Sequence, residues 1–129
     1  MRSELNWIET PFGPMLGGMM EGWEVPATGK IILGDSNAKS IGFVAPFFEG
    51  WLWEFDHYVY ISFVLSRFEG QGHLSGLFAN ILATGRGIKV PNPLGHMTEI
   101  VKHKGFFENV EMFGPHLVNV WRSPGNFFN

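Results

Sequence analysis

The residues with the clearest chemical potential lie in one short stretch, RFEGQGHL, which runs from Arg67 to Leu74 between a strand-like run and a helix-like run. A tight turn from a strand into a helix leaves the first N–H groups of the helix without partners, and with the helix dipole these donors form an anion site. Gly70 and Gly72 permit both the turn and the close approach of a phosphate group. The same two glycines are also compatible with a tight connection that binds nothing.

The elements on both sides of this stretch have distinct patterns. The run WLWEFDHYVYISFVLS, from Trp51, is rich in aromatic and β-branched residues, which predicts a buried central strand at about 57–65 preceded by a neighbouring strand. After the glycines, apolar residues recur at helical spacing, at Leu74, Leu77, Phe78, Ile81 and Leu82. Thr84-Gly85 is placed to end this helix.

Further elements follow downstream. Residues 87–91 predict a short strand, and Asn92-Pro93 predicts the N-cap and first residue of a second helix that ends at Gly105. Residues 106–113 and 116–122 predict an antiparallel hairpin. A strand, a helix and a strand in this order predict a parallel pair with a right-handed crossover.

Glycine and proline interrupt the first fifty residues, so we expect only short elements there. Residues 15–23 are compatible with one short helix. Residues 30–33 and 40–44 predict two strands joined by a turn at 34–37.

Composition limits the classes of function. A chain of 129 residues with 45% hydrophobic and 16% charged residues predicts one folded domain spanning 1–129. A net charge of −3 without a basic run argues against a nucleic-acid partner. The absence of cysteine excludes thiolate chemistry and disulfides, and no apolar run of membrane-spanning length occurs. We therefore expect a cytoplasmic protein with no membrane partner.

The glycine stretch resembles the acetyl-CoA-binding motif of the GNAT acetyltransferase superfamily. In that motif a strand ends in a pattern like V-x-P-x-(Y/F)-R-G-x-G-x-G/A and leads into a helix whose first amides hold the CoA pyrophosphate. Val64, Phe68, Gly70 and Gly72 match, whereas Ser66 and Glu69 stand where proline and Arg or Gln are usual. The resemblance covers about residues 40–122 and continues to the Gly105-Phe106 pair.

The resemblance implies an α/β (α+β) fold with a central mixed, mostly antiparallel sheet and helices on both faces. It implies acetyl-CoA or another acyl-CoA as cofactor, with pantetheine pairing along the strand edge at 62–66 and the pyrophosphate at 70–74. The cofactor-binding residues so implied are Ser62, Val64, Ser66, Gly70, Gln71, Gly72, His73, Leu74 and Asn92. The activity it implies is N-acetyltransfer to an amine of a small molecule or a protein.

Candidates for a general base lie near the start of the central strand. His57 ranks first because its ordinary pKa lies nearest neutrality, Glu54 ranks second, and Tyr60 is a third candidate beside Asp56. Strict alternation predicts residues 56, 58, 60, 62 and 64 on one face of the strand and residues 57, 59, 61 and 63 on the other. The five histidines lack the paired spacing of metal ligands, so no metal site is predicted.

Two features leave alternatives open. The tyrosine that the family places on its last helix corresponds here to Val101, which cannot donate a proton. A catalytically inactive GNAT-like binding or structural module is therefore the alternative to an enzyme, and an α/β domain that binds another phosphate compound, such as a nucleotide, is a third reading. The aromatic residues at 47, 48, 51 and 53 are assigned to core or homodimer packing in preference to a substrate cleft.

Overall fold

A computed structural model describes residues 7–16, 29–68, 70–93, 95–113 and 116–124. In chain order the elements are β1 (Trp7–Thr10), β2 (Gly13–Leu16), β3 (Lys30–Ile32), α1 (Ser36–Lys39), β4 (Phe48–Phe55), β5 (Tyr58–Ser66), α2 (His73–Ala83), β6 (Gly87–Pro91), α3 (His96–His103), β7 (Phe107–Phe113) and β8 (His116–Arg122). The mixture of strands and helices is that of an α+β protein.

Six of the strands form one sheet in the order β3-β4-β5-β6-β8-β7, and β1 and β2 form a separate hairpin. Strands β5 and β6 are parallel, as the intervening helix predicted, and the other neighbouring pairs in the sheet are antiparallel. The predicted hairpin at the end of the chain is confirmed as β7–β8.

The two faces of the sheet are covered differently. One face, the helix face, joins buried residues of β3 to β6 to Ala38 of α1, Leu77 of α2 and Val101 of α3 in a single apolar core. The other, the hairpin face, carries Trp53 and Val120 among its buried residues and is covered by the β1–β2 hairpin. The expectation of helices on both faces is therefore not met by the described helices, which all pack on one face.

Two predicted elements differ in the structure. Residues 40–44 are not a strand, because helix α1 and a turn precede β4 and Gly42 in that turn has a φ of +81°. Ile41 and Phe43 are buried in the core from this turn, so their alternating spacing imitated a strand. The predicted helix at 15–23 is wrong at its start, because Met15 and Leu16 lie in strand β2. Residues 17–23 of that prediction lie outside the described residues.

Helix α3 begins later than the Asn92-Pro93 pattern predicted. Asn92 has a φ of +44°, and its N–H donates to the Asn119 carbonyl oxygen at 2.8 Å. That hydrogen bond ties Asn92 to β8, and α3 begins at His96 after Gly95. Its end is as predicted, because Lys104 caps it and Gly105 follows with a φ of +79°.

Candidate functional site

Strands β5 and β6 pair only at their beginnings. Their register runs from Tyr58–Gly87 to Tyr60–Lys89 and ends there, although β5 continues to Ser66 and β6 to Pro91. The strands therefore separate toward their carboxyl ends. The gap cavity between them has a volume of about 160 Å³ and is lined by Ile61, Ser62, Phe63, Val64, Leu65, Val90, Pro91, Asn92, Pro93 and Met97. A strand edge left unpaired in this way can accept an extended ligand that carries amide groups.

A β-bulge in β5 lies where the gap opens. Trp51 pairs with Phe63 and Trp53 pairs with Tyr60, so Leu52 of β4 faces two residues of β5, at 61 and 62. The bulge reverses the alternation of side chains beyond Ile61.

The reversal is visible in the packing of the residues that follow. Val64 packs against the core of the helix face together with Ile61, whereas the Phe63 ring lies 4.8 Å from that of Trp51 on the hairpin face. The strict alternation predicted for β5 is therefore wrong after the bulge, since it placed Ile61 and Phe63 on the same face.

The glycine loop leads directly into helix α2. Gly70 and Gly72 have φ values of +82° and +80°, which favour glycine. The Gly76 N–H donates to the Gly72 carbonyl oxygen at 2.9 Å, and no side chain caps the helix. The N–H groups of the first turn therefore lack intrahelical acceptors and are available to a ligand.

A second cavity, the loop cavity, lies over this turn. It has a volume of about 200 Å³ and is lined by Ser66, Phe68, Gly70, Gly72, His73, Leu74, Ser75, His96 and Ile100. A Cβ atom at Gly70 or Gly72 would meet no other atom within 4 Å, so the space over both glycines is open. The space and the free amide donors fit a pyrophosphate group.

The polar groups near the loop cavity are imidazole rings and helix ends. His73 stacks on Phe47 at a centroid distance of 4.1 Å, and His96 is the first residue of α3. Arg67 is directed away, since its guanidinium pairs with Glu49 at 3.2 Å and donates to the Ala45 carbonyl oxygen at 2.8 Å. Glu69 lies outside the described residues.

The structure brings most of the implied cofactor-binding residues together in two groups. Ser62, Val64 and Asn92 line the gap cavity. Ser66, Gly70, Gly72, His73 and Leu74 line the loop cavity. Gln71 is exposed and lines neither cavity.

The proposed catalytic residues lie at the opposite end of β5. His57 occupies the β4–β5 turn with a φ of +69°, and its carbonyl oxygen accepts the Gly87 N–H at 3.1 Å. Glu54 forms an ion pair with Arg86 at 2.8 Å. At about 3.3 Å per residue, His57 lies about 17 Å along the strand from Ser62. Neither His57 nor Glu54 lines the gap cavity or the loop cavity.

Tyr60 lies between these two regions, buried on the hairpin face. Burial raises its pKa well above the ordinary value for a phenol, and the nearby Glu111 carboxylate raises it further. The Lys89 ammonium lies 5.5 Å from the Tyr60 ring centre and 2.7 Å from the Glu111 carboxylate. The raised pKa therefore keeps Tyr60 a neutral phenol at physiological pH.

Lys89 and Glu111 were not among the sequence candidates, although one signal pointed to them. All five residues of β6 are buried, and Lys89 is the charged residue in their midst. A lysine in a buried strand requires a partner for its charge. The sequence could show that need, but not that Glu111 of β7 meets it across the intervening strand β8.

Comparisons with known proteins give no relative for this chain. No family model matches it, and no curated protein or solved structure matches it either. Within the described ranges, no helix is long and apolar enough to cross a membrane. Function has to be argued from the chemistry of the cavities.

Proposed function

We propose that the chain binds acetyl-CoA, or another acyl-CoA, along the gap cavity and the loop cavity, and that it transfers the acyl group to an amine as a GNAT-type N-acetyltransferase. The observation that carries the proposal is the separation of two parallel strands directly beside a glycine turn that leads into a helix. An extended chain with amide groups and a pyrophosphate at one end fits these two adjoining spaces.

Each half of the site has a defined role in the proposal. The amides of the first turn of α2, from His73 to Ser75, hold the pyrophosphate, and the glycines let it approach the backbone. The free edge of β5 from Ser62 to Ser66 pairs with the pantetheine amides. The thioester end then lies near the bulge, where the strands converge.

The cofactor supplies an activated acyl group. In the transfer, the amine nitrogen forms a bond to the acyl carbon while the carbon–sulfur bond breaks, the nitrogen gives up a proton, and the released thiolate takes one. The sheet is mixed and mostly antiparallel, as the proposed GNAT-like fold requires, and this supports the proposal.

A second function, binding without catalysis, is favoured by the position of the acid–base candidates. His57 and Glu54 line neither cavity. Val101, at the position of the family's tyrosine, is completely buried in the core. A chain that retained only the cofactor site would show this combination.

The test is a calorimetric titration of the protein with acetyl-CoA and, separately, with ATP. We expect micromolar affinity for acetyl-CoA and its loss in Gly72→Glu, which places a carboxylate in the loop cavity. Gly34→Glu is the matched control, because Gly34 also has a positive φ and open space but does not line either cavity. No binding of acetyl-CoA at millimolar concentration would refute the proposal, and binding of ATP alone would indicate a nucleotide site.

Catalysis is then measured as thiol release from acetyl-CoA with a panel of amines. Thiol release that depends on the amine supports the transferase. Tight binding of acetyl-CoA without thiol release for any amine supports the second function.

A further inference from the structure

A third cavity, the hairpin cavity, lies on the hairpin face of the sheet. It has a volume of about 260 Å³ and is lined by the turns β1–β2 and β4–β5 and by strands β5 to β7. The lining residues used below are Phe12, Phe55, Asp56, Tyr60, Lys89 and Glu111. Ligand sites for drug-sized molecules usually measure about 300–1,000 Å³, so this cavity suits a smaller compound.

The walls of the hairpin cavity are largely aromatic. The Phe12 and Tyr60 rings are 5.4 Å apart, and the Phe55 and Tyr60 rings are 6.5 Å apart. Phe55 is 50% exposed at the edge, so part of its ring is available to a ligand. These surfaces fit an apolar or aromatic body, and their faces also attract a cation.

The charges around the hairpin cavity leave one negative charge uncompensated. Lys89 and Glu111 neutralise each other at 2.7 Å, and the Lys89 ammonium also lies 4.3 Å from the Tyr58 ring centre. Within the described part of the chain, no cation forms an ion pair with Asp56. The cavity therefore favours a cationic ligand and disfavours an anionic one.

The hairpin cavity lies where β5 and β6 are paired, and the gap cavity begins where their pairing ends. Tyr60 and Lys89 are the last paired residues of β5 and β6, and both line the hairpin cavity. Ser62, only two residues further along β5, lines the gap cavity. Tyr60 and Ser62 are thus about 7 Å apart along the strand, whereas Asp56, at the other end of the hairpin cavity, lies beside His57 and about 17 Å from Ser62.

From the aromatic walls and the net negative charge, we propose that the hairpin cavity binds a small cationic amine with an aromatic or apolar body. This inference goes beyond the proposed function, because an ammonium group held at Asp56 lies beside His57, at the end of β5 away from the gap cavity. Asp56 attracts the ammonium group, and Phe12 and Phe55 contact the body.

The test uses phenylethylamine as the probe, with ethanolamine and aspartate for comparison. Binding is followed by calorimetry with and without acetyl-CoA. We expect phenylethylamine to bind more tightly than ethanolamine and aspartate not to bind. Asp56→Asn should weaken phenylethylamine binding about threefold to fivefold, the effect of losing one solvent-exposed ion pair, and leave acetyl-CoA binding unchanged.

Asparagine suits the positive φ of +54° at residue 56, so this variant keeps the turn. The matched control is Asp35→Asn, because Asp35 does not line the hairpin cavity. Acetyl-CoA binding without phenylethylamine binding, or equal phenylethylamine affinity in the wild type and Asp56→Asn, overturns this inference and leaves the proposed function intact. Phenylethylamine binding that depends on Asp56 in a protein that does not bind acetyl-CoA supports the amine site but refutes the proposed function.

Discussion

Replacing Gly72 and Gly76 separately by alanine should change stability in opposite directions, although the two glycines lie one helical turn apart. Gly72 has a φ of +80° before the first residue of α2, whereas Gly76 lies within that helix. A Cβ atom at either position would meet no other atom within 4 Å. Steric crowding is therefore equal at the two sites, and the backbone conformation alone distinguishes them.

The magnitude follows from that difference. A left-handed conformation costs an alanine about 1–2 kcal/mol, and the smaller entropy of the unfolded chain offsets about 0.4–1 kcal/mol of this. Gly72→Ala should therefore lower the free energy of unfolding by about 1 kcal/mol. Gly76→Ala should raise it by about 1 kcal/mol, because alanine is the better helix former.

The measurement is urea unfolding followed by circular dichroism. A difference of about 2 kcal/mol between the variants, with a urea slope of about 2 kcal/mol per M, separates their midpoints by about 1 M. Equal shifts, or a more stable Gly72→Ala variant, would refute a left-handed Gly72. Saturating acetyl-CoA should raise the midpoint of Gly76→Ala more than that of Gly72→Ala, because only Gly72 lines the loop cavity.

Three further predictions concern the sheet. Since the raised pKa of Tyr60 favours its protonated form in the folded state, its stabilising contribution is complete below pH 10 and is lost as the pH rises toward the folded value. The free energy of unfolding should therefore fall above pH 10, and less steeply in Tyr60→Phe. Removing one member of the Lys89–Glu111 pair by Glu111→Gln should cost about 3 kcal/mol, and adding Lys89→Met should recover part of it in a double-mutant cycle. Gly50→Ala should prevent stable folding, as judged by circular dichroism, because its Cβ would collide with the Phe63 carbonyl oxygen of the neighbouring strand.

The central elements could be predicted because their local patterns agree with their packing. The aromatic and β-branched run gives β4 and β5, and the apolar stripe of α2 is largely buried, with Leu77, Phe78 and Ile81 in the core. The parallel pairing of β5 and β6 followed from the helix between them. In each case one local signal was sufficient.

Features that depend on a partner strand were not predictable in the same way. The bulge opposite Leu52 arises from the register between β4 and β5, and it changes the face on which Phe63 lies. Asn92-Pro93 has the pattern of a helix start, but a hydrogen bond to Asn119 holds Asn92 beside β8. These outcomes come from contacts distant in sequence, which local patterns do not contain.

The implied cofactor-binding residues and the catalytic candidates show the same difference between local and distant contacts. Apart from Asn92, the implied cofactor-binding residues follow one another from the end of β5 into α2, so their proximity is largely a local property. The catalytic candidates have suitable chemistry but lie near the start of β5, and nothing local indicates at which end the strands separate. The register shows that they stay together at Tyr60–Lys89 and separate only afterwards.

The positions of the two cavities also bear on whether the chain can be an enzyme without His57 or Glu54 at the gap. Acyl transfer to an amine requires the nitrogen and the acyl carbon to lie about 3–3.5 Å apart, and alignment of this kind can supply much of the rate. The gap cavity reaches Ser62, so the thioester would lie at the bulge, whereas His57 and Glu54 line neither the gap cavity nor the loop cavity. Glu111 is already ion-paired with Lys89 at 2.7 Å and does not line the gap cavity either. A transferase built in this way would take its rate from the alignment of its two substrates and be indifferent to His57→Gln, which is the opposite of the order of importance expected from the sequence.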